Sequence, residues 1–182
     1  TSVLKGKILK EKIFFKNFFE NKQCTKNRTQ AAGGRIVRLV KNKLLLTIGD
    51  YGNWKLAQNK NSIFGKIISI DEKTKEFKII SMGHRNPQGL KYIKKNNFII
   101  STEHGPKGGD EVNLINLNNN NIKNYGWPIS SYGFHYDGKK REYAPLFKSH
   151  KDHGFIEPLI YFTPSIGISE IIQVDELFEE EK

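Results

Sequence analysis

A 55-residue internal repeat constrains this chain more than any other feature. "GRIVRLVKNKLLLTIGD" begins at Gly34 and "GLKYIKKNNFIISTEHG" begins at Gly89. Each reads as a strand, a Lys/Asn turn, a second and mostly apolar strand, and an abrupt polar end. A third and weaker start follows at "SIGISEIIQV". Between the first two starts lie four short β-branched runs, Arg35–Val40, Lys43–Ile48, Gly65–Ile70 and Phe77–Ser81, which make one small antiparallel sheet. Four-stranded units recurring at such a period are the sequence pattern of β-propeller blades.

Further strands are expected near Lys12–Phe19, Leu90–Ile93, Phe98–Thr102, Glu111–Leu117, Leu159–Phe162 and Glu170–Val174, and only "VDELFEEEK" looks helical. The chain therefore divides into a blade remnant over 1–30, a blade over 33–83, a blade over 87–130 with a long loop running to 157, and the start of a next blade over 158–175. The expected fold class is all-β, with about three blades of four antiparallel strands. In a propeller, loops at one end of the inner strands build the site. The polar ends "TIGDYG" and "STEHGPKGGDE" fall at matching places in the repeat, so they are candidates for one shared site.

Composition excludes several alternatives. With 37% hydrophobic and 27% charged residues, the 182 residues suit a folded core rather than a disordered chain. No stretch approaches the roughly 18 apolar residues that span a bilayer, and no signal-peptide pattern is present. The formal charge of +11 points towards an anionic partner. Its make-up does not: 25 of the 30 basic residues are lysine, and they are spread along the chain. Nucleic-acid sites more often cluster arginine with aromatics, so no nucleic-acid partner is expected. Cys24 stands alone and is read as a free thiol without a disulfide or zinc role. Asn27-Arg28-Thr29 matches a glycosylation acceptor.

Three stretches carry side chains suited to chemistry. In "GHRNPQGL", Pro87 biases Asn86 towards extended backbone, but turn geometry does not require Arg85. A planar guanidinium suits carboxylates, so Arg85 reads either as an anion ligand or as half of a structural salt bridge. In "STEHGPKGGDEVNLI", the glycines permit carbonyls to converge and Glu103, Asp110 and Glu111 surround them. Hard oxygen donors of this kind suit calcium, and the alternative is a solvated acidic turn. In "SHKDHG", His150 and His153 lack a third ligand and read as exposed histidines; His84 reads as packing, and His104 fits either role. No Ser-His-Asp, phosphate-loop or dinucleotide fingerprint appears.

Taken in order, "AAGGRIV…LLLTIGDYG", "GKIISID", "GHRNPQGL", "EHGPKGGDEVNLI" and "NYGWP" resemble the glucose/sorbosone dehydrogenase family, from Phe14 to Val174. Those are sugar dehydrogenases that depend on pyrroloquinoline quinone (PQQ) and are built on a six-bladed propeller. The resemblance implies that Arg85 and Asn86 contact the quinone, and that the carbonyls of Gly105 and Pro106 hold a calcium ion polarising it. It also implies that Asp50 orients the catalytic histidine, and that the protein is periplasmic or secreted with a small sugar as substrate. At the histidine itself the pattern departs. The family reads H-x-x-G-R, whereas this chain has "AAGGR", with Ala31 at the general-base position. Two functions are therefore carried forward: oxidation of a sugar C1 hydroxyl by hydride transfer to PQQ, and a catalytically silent propeller that binds a sugar, a protein or a surface. Three blades are fewer than six, so the expectation is a segment of a longer propeller, with closure by two copies as the alternative.

Overall fold

A computed structural model describes residues 1–25 and 30–174. The glycosylation acceptor at 27–29 and all but the first residue of "VDELFEEEK" lie outside the described residues. Among the described residues, eleven strands form three antiparallel units, two of them joined by a short parallel pairing. β1 (Ser2–Leu9) and β2 (Lys12–Glu20) make a hairpin. β3 (Gly33–Val40), β4 (Lys43–Ile48), β5 (Lys66–Asp71) and β6 (Phe77–Met82) follow one another in a meander. β7 (Pro87–Ile93), β8 (Phe98–Glu103) and β9 (Asp110–Asn116) make the next one. β10 (Lys123–Asn124) returns to the first meander, parallel to β6, and β11 (Ile160–Phe162) pairs with β9.

The repeat is thus realised in space. Its two starts, β3 and β7, are the edge strands of their sheets and lie against each other. The central strands show why these segments are so apolar. Leu46, Ile48, Ile68 and Ile70 on one face of the first sheet pack with Val3, Phe19, Ile63 and Phe64. Leu45 and Ile67 on the other face pack with Leu90, Ile99 and Ile115 of the second sheet and with Tyr125, which follows β10. Because side chains alternate between faces, a strand covered on both sides is apolar on both, as Leu45, Leu46 and Ile48 of β4 are, and the buried Thr47 among them donates its hydroxyl to the Pro87 carbonyl. Stacked sheets buried face to face are the packing of propeller blades.

Three differences from the expected elements have physical causes. β1 escapes the sequence pattern because Lys5, Gly6 and Lys7 interrupt its apolar run, and the strand is held by pairing with β2 rather than by burial. Ile160–Phe162 does not open a further blade; it closes the second sheet on β9. Glu170–Val174 is not a strand, and no strand among the described residues offers it a ladder. Side chains tether this segment instead. The Arg35 guanidinium meets Glu170 at 2.6 Å, and Thr102 Oγ1 donates to the Ser169 carbonyl.

Candidate functional site

The strand connections alternate between the two ends of the stack, so 49–65, 83–86 and 104–109 emerge at the same end. There they interlock through backbone hydrogen bonds. Asp50 N donates to the Arg85 carbonyl at 2.9 Å, and His104 N donates to the Asn86 carbonyl at 3.1 Å. Tyr51 N and Gly49 N reach back to the carbonyls of Ala31 and Ala32. Gly49 cannot be anything larger, because a Cβ there would lie 1.9 Å from the Ala31 oxygen. The two polar ends of the repeat therefore come to one junction, as the repeat implied, and "GHRN" bridges them.

Glu103 is the hub of this junction. One carboxylate oxygen takes the Arg85 amide at 2.8 Å, and the other takes His84 Nδ1 and Asn113 Nδ2, each at 2.9 Å. His84 is fully buried, stacked on Tyr125, with its Nε2 on Ser81 Oγ at 2.8 Å. Arg85 Nη1 donates to the His104 carbonyl at 3.0 Å, and the guanidinium lies 5.5 Å from the Trp127 ring. A carboxylate gripping the backbone N–H, rather than the guanidinium, orients Arg85 without neutralising it. Asn86 is held by its oxygen, which accepts Gly33 N at 3.1 Å and Gln88 Nε2 at 2.8 Å. Among the described residues its Nδ2 has no acceptor, so the donor end remains for a ligand.

Asp50 is fully buried beside this junction. Its carboxylate takes Gly52 N at 2.7 Å and Trp127 Nε1 at 2.6 Å. Burial pushes its pKa up to about 6, against the pull of those two hydrogen bonds and of Arg85. Glu111 is buried too, and desolvation together with the neighbouring Glu103 charge holds it well above the usual carboxylate range. It faces the unpaired Nε2 of His150 at 3.7 Å. His150 is buried and not exposed as its sequence context implied, because the Glu157 carboxylate caps its backbone N–H and Tyr132 covers its ring. Asp110 is not a solvated turn residue either. It accepts the amides of Gly105, Ile166, Gly167 and Ile168 and so fixes the 165–167 loop over the site.

An open cleft of about 420 Å³ results, lined by Gln30, Ala31, Arg85, Asn86, His104, Gly105, Asp110, Tyr136, Ser165 and Gly167. Of the residues singled out from the sequence, Ala31, Arg85, Asn86 and Gly105 share this cleft, while Asp50 and Pro106 do not line it. Among the described residues the carbonyls of Gly105 and Pro106 accept no hydrogen bond. Their lone pairs are thus uncommitted, which is the donor chemistry a hard cation such as calcium requires. Nothing in the sequence marked Glu103 as the hub or Trp127 as the partner of Asp50, and Tyr136 was not singled out as lining the cleft. Trp127 lies 77 residues from its partner Asp50, and only its place in the Gly-Trp-Pro turn set it apart.

Stacked antiparallel sheets, with a polar cleft where their connections meet, define a β-propeller fold. The chain belongs to the Glucose / Sorbosone dehydrogenase family, whose model matches residues 1–179. It is 32% identical over 150 residues to the aldose sugar dehydrogenase YliI of Escherichia coli, covering 75% of this chain and 38% of that protein. It is also 32% identical over 127 residues to the quinoprotein glucose dehydrogenase B of Acinetobacter calcoaceticus, covering 52% of this chain and 25% of that one. The apo-form crystal structure of the soluble aldose sugar dehydrogenase of Escherichia coli superposes with a TM-score of 0.75 at 29% identity, over 93% of this chain and 51% of that chain. The chain thus spans about half the length of these relatives, or less.

Proposed function

We propose that this chain is the PQQ- and calcium-holding part of a sugar dehydrogenase-type propeller of the periplasm or the secreted fraction. The observation that carries the reading is the shared cleft of Arg85, Asn86 and Gly105, assembled from separate connections of adjacent blades. When bound, PQQ supplies an electrophilic quinone that accepts a hydride from a sugar C1. This chain's residues do the holding. Arg85, whose guanidinium contacts no carboxylate among the described residues, attracts the carboxylates and quinone oxygens of such a ligand. Asn86 Nδ2 offers a neutral donor beside it, and the Gly105 and Pro106 carbonyls hold calcium. Asp50 is placed to steady a neighbouring donor, a part Trp127 Nε1 fills here.

Ala31 favours a second reading. A methyl group cannot accept the proton of a sugar hydroxyl, and loss of a general base removes on the order of 10²–10⁴ in rate. A cofactor-binding propeller without efficient turnover fits that substitution.

Calorimetric titration of PQQ into the protein, with and without calcium, tests the binding on which both outcomes turn. Saturable binding that tightens with calcium is expected, and no heat at any calcium level overturns the quinone reading. Dye-linked aldose oxidation by the loaded protein then separates an enzyme from a silent binder.

A further inference from the structure

The cleft has one wall that neither the sequence motifs nor the hydrogen-bond network accounts for. Tyr136 lines it with its side chain 73% exposed. Among the described residues its hydroxyl has no hydrogen-bond partner and its ring packs on no other aromatic. The backbone that carries it is pinned on both sides. Before it, Phe134 and Lys107 exchange backbone hydrogen bonds at 2.8 and 3.0 Å, and the His135 ring stacks on Trp54 with centroids 5.4 Å apart. His135 Nε2 also reaches the Ala144 carbonyl at 2.8 Å. After it, Asp137 takes Arg141 through two hydrogen bonds, at 2.5 and 3.1 Å, and that guanidinium lies 5.3 Å from the Trp54 ring.

A solvated loop tip has no need of such anchoring. The arrangement anchors the backbone that carries a bare aromatic ring, and that ring's residue lines the same cleft as a cation and an amide donor. Tyrosine has only two side-chain torsions to fix, so a pinned turn presents it at low entropic cost. We propose that Tyr136 is the stacking face of the cleft, on which a flat anionic heteroaromatic ligand lies while its carboxylates face Arg85. The inference rests on the quinone reading above and adds to it the residue that clamps the ligand's plane. Stacked ring pairs contribute enough beyond area burial to shift affinity by up to about tenfold.

The experiment uses PQQ as the probe, with calcium present, on the wild type, Tyr136→Ala, Tyr136→Phe and Tyr143→Ala. Tyr136→Ala is expected to weaken PQQ binding about tenfold and to abolish any shift of the quinone absorbance band on binding. Tyr136→Phe keeps the ring and should bind within about twofold of wild type. Tyr143, half-exposed outside the cleft lining, reports non-specific stacking and should leave affinity unchanged. Urea midpoints are expected to coincide across the Tyr136 variants, because the side chain is mostly in solvent. Wild-type affinity in Tyr136→Ala overturns the stacking role alone, and so does an equal loss in Tyr136→Phe, which would move the contact to the hydroxyl. Absence of PQQ binding in the wild type overturns both this inference and the reading beneath it.

Discussion

At the scale of single residues, Ala31 decides most. Its backbone sits at φ 57°, in the left-handed region, hydrogen-bonded through its carbonyl to Tyr51. Histidine is among the residues that tolerate this conformation, and the side chain here opens on the cleft, so Ala31→His fits without moving the turn. In protein loaded with PQQ and calcium, this variant is expected to raise dye-linked aldose oxidation by at least about 10²-fold. Its activity should also appear only as pH rises through about 6, where Asp50 ionises and can hold an imidazolium. If sugar reduces the quinone as fast in the wild type as in the variant, the missing base is wrongly assigned. Asp50 has an opposite effect on stability. Its folded pKa stands above the unfolded value, so its contribution is whole at pH below about 4 and fades as pH rises through about 6. Arg85 and Asn86 stood out in the sequence because a guanidinium and an amide between glycines and a proline are unusual for a turn, and Gly105 stood out in its glycine-rich loop; the three line one cleft. Glu103 was not: its role lies in three hydrogen bonds made across 10, 18 and 19 residues, and nothing local distinguishes it from a solvated acid.

Among the elements, the strands were legible where both faces are buried and obscure where pairing alone holds them. β4 matches its expected bounds, since Leu44–Ile48 admits no other reading, whereas β1 was hidden by its lysines. Lys66 shows the opposite failure. At the head of β5 it looks like a surface lysine, yet its ammonium is fully buried and donates to the carbonyls of Leu56, Ala57 and Phe64 at 2.9, 2.9 and 2.7 Å. It caps α1 (Lys55–Gln58), a helix of one turn that could not persist alone. Burial pulls its pKa down to about 7, while the three carbonyl dipoles favour the charged form. Lys66→Met keeps the length and apolar stem but leaves those carbonyls unpaired in the interior. A loss on the order of 3 kcal/mol in chemical denaturation is expected, with the 49–65 connection losing hydrogen-exchange protection first. A variant as stable as wild type would show that water replaces the ammonium without cost.

For the whole molecule, the decisive fact is that, among the described residues, large apolar side chains stand open at two places. At one, the hairpin presents Leu4, Ile8, Ile13 and Phe15, each at least 57% exposed. At the other, Leu159, Ile160, Ile166 and Ile172 are each at least 50% exposed. Propeller blades are buried on both faces by their neighbours, and several large apolar side chains left on a free surface favour association. The net charge of +11 opposes that association at low ionic strength, and salt screens the repulsion within about 10 Å at 0.1 M. The isolated 182-residue chain is therefore expected to self-associate at micromolar concentrations in sedimentation velocity, and more strongly at 0.3 M than at 0.03 M salt. Replacing Ile13 and Phe15 together by lysine places charge on the hairpin's apolar face while leaving its pairing and the buried Phe19 intact. That variant should sediment as a monomer at both salt concentrations with its thermal midpoint nearly unchanged. A wild type that stays monomeric throughout would mean that the hairpin folds back over its own apolar face in solution, and hydrogen exchange across β1 and β2 would then show protection on strands that stand open here.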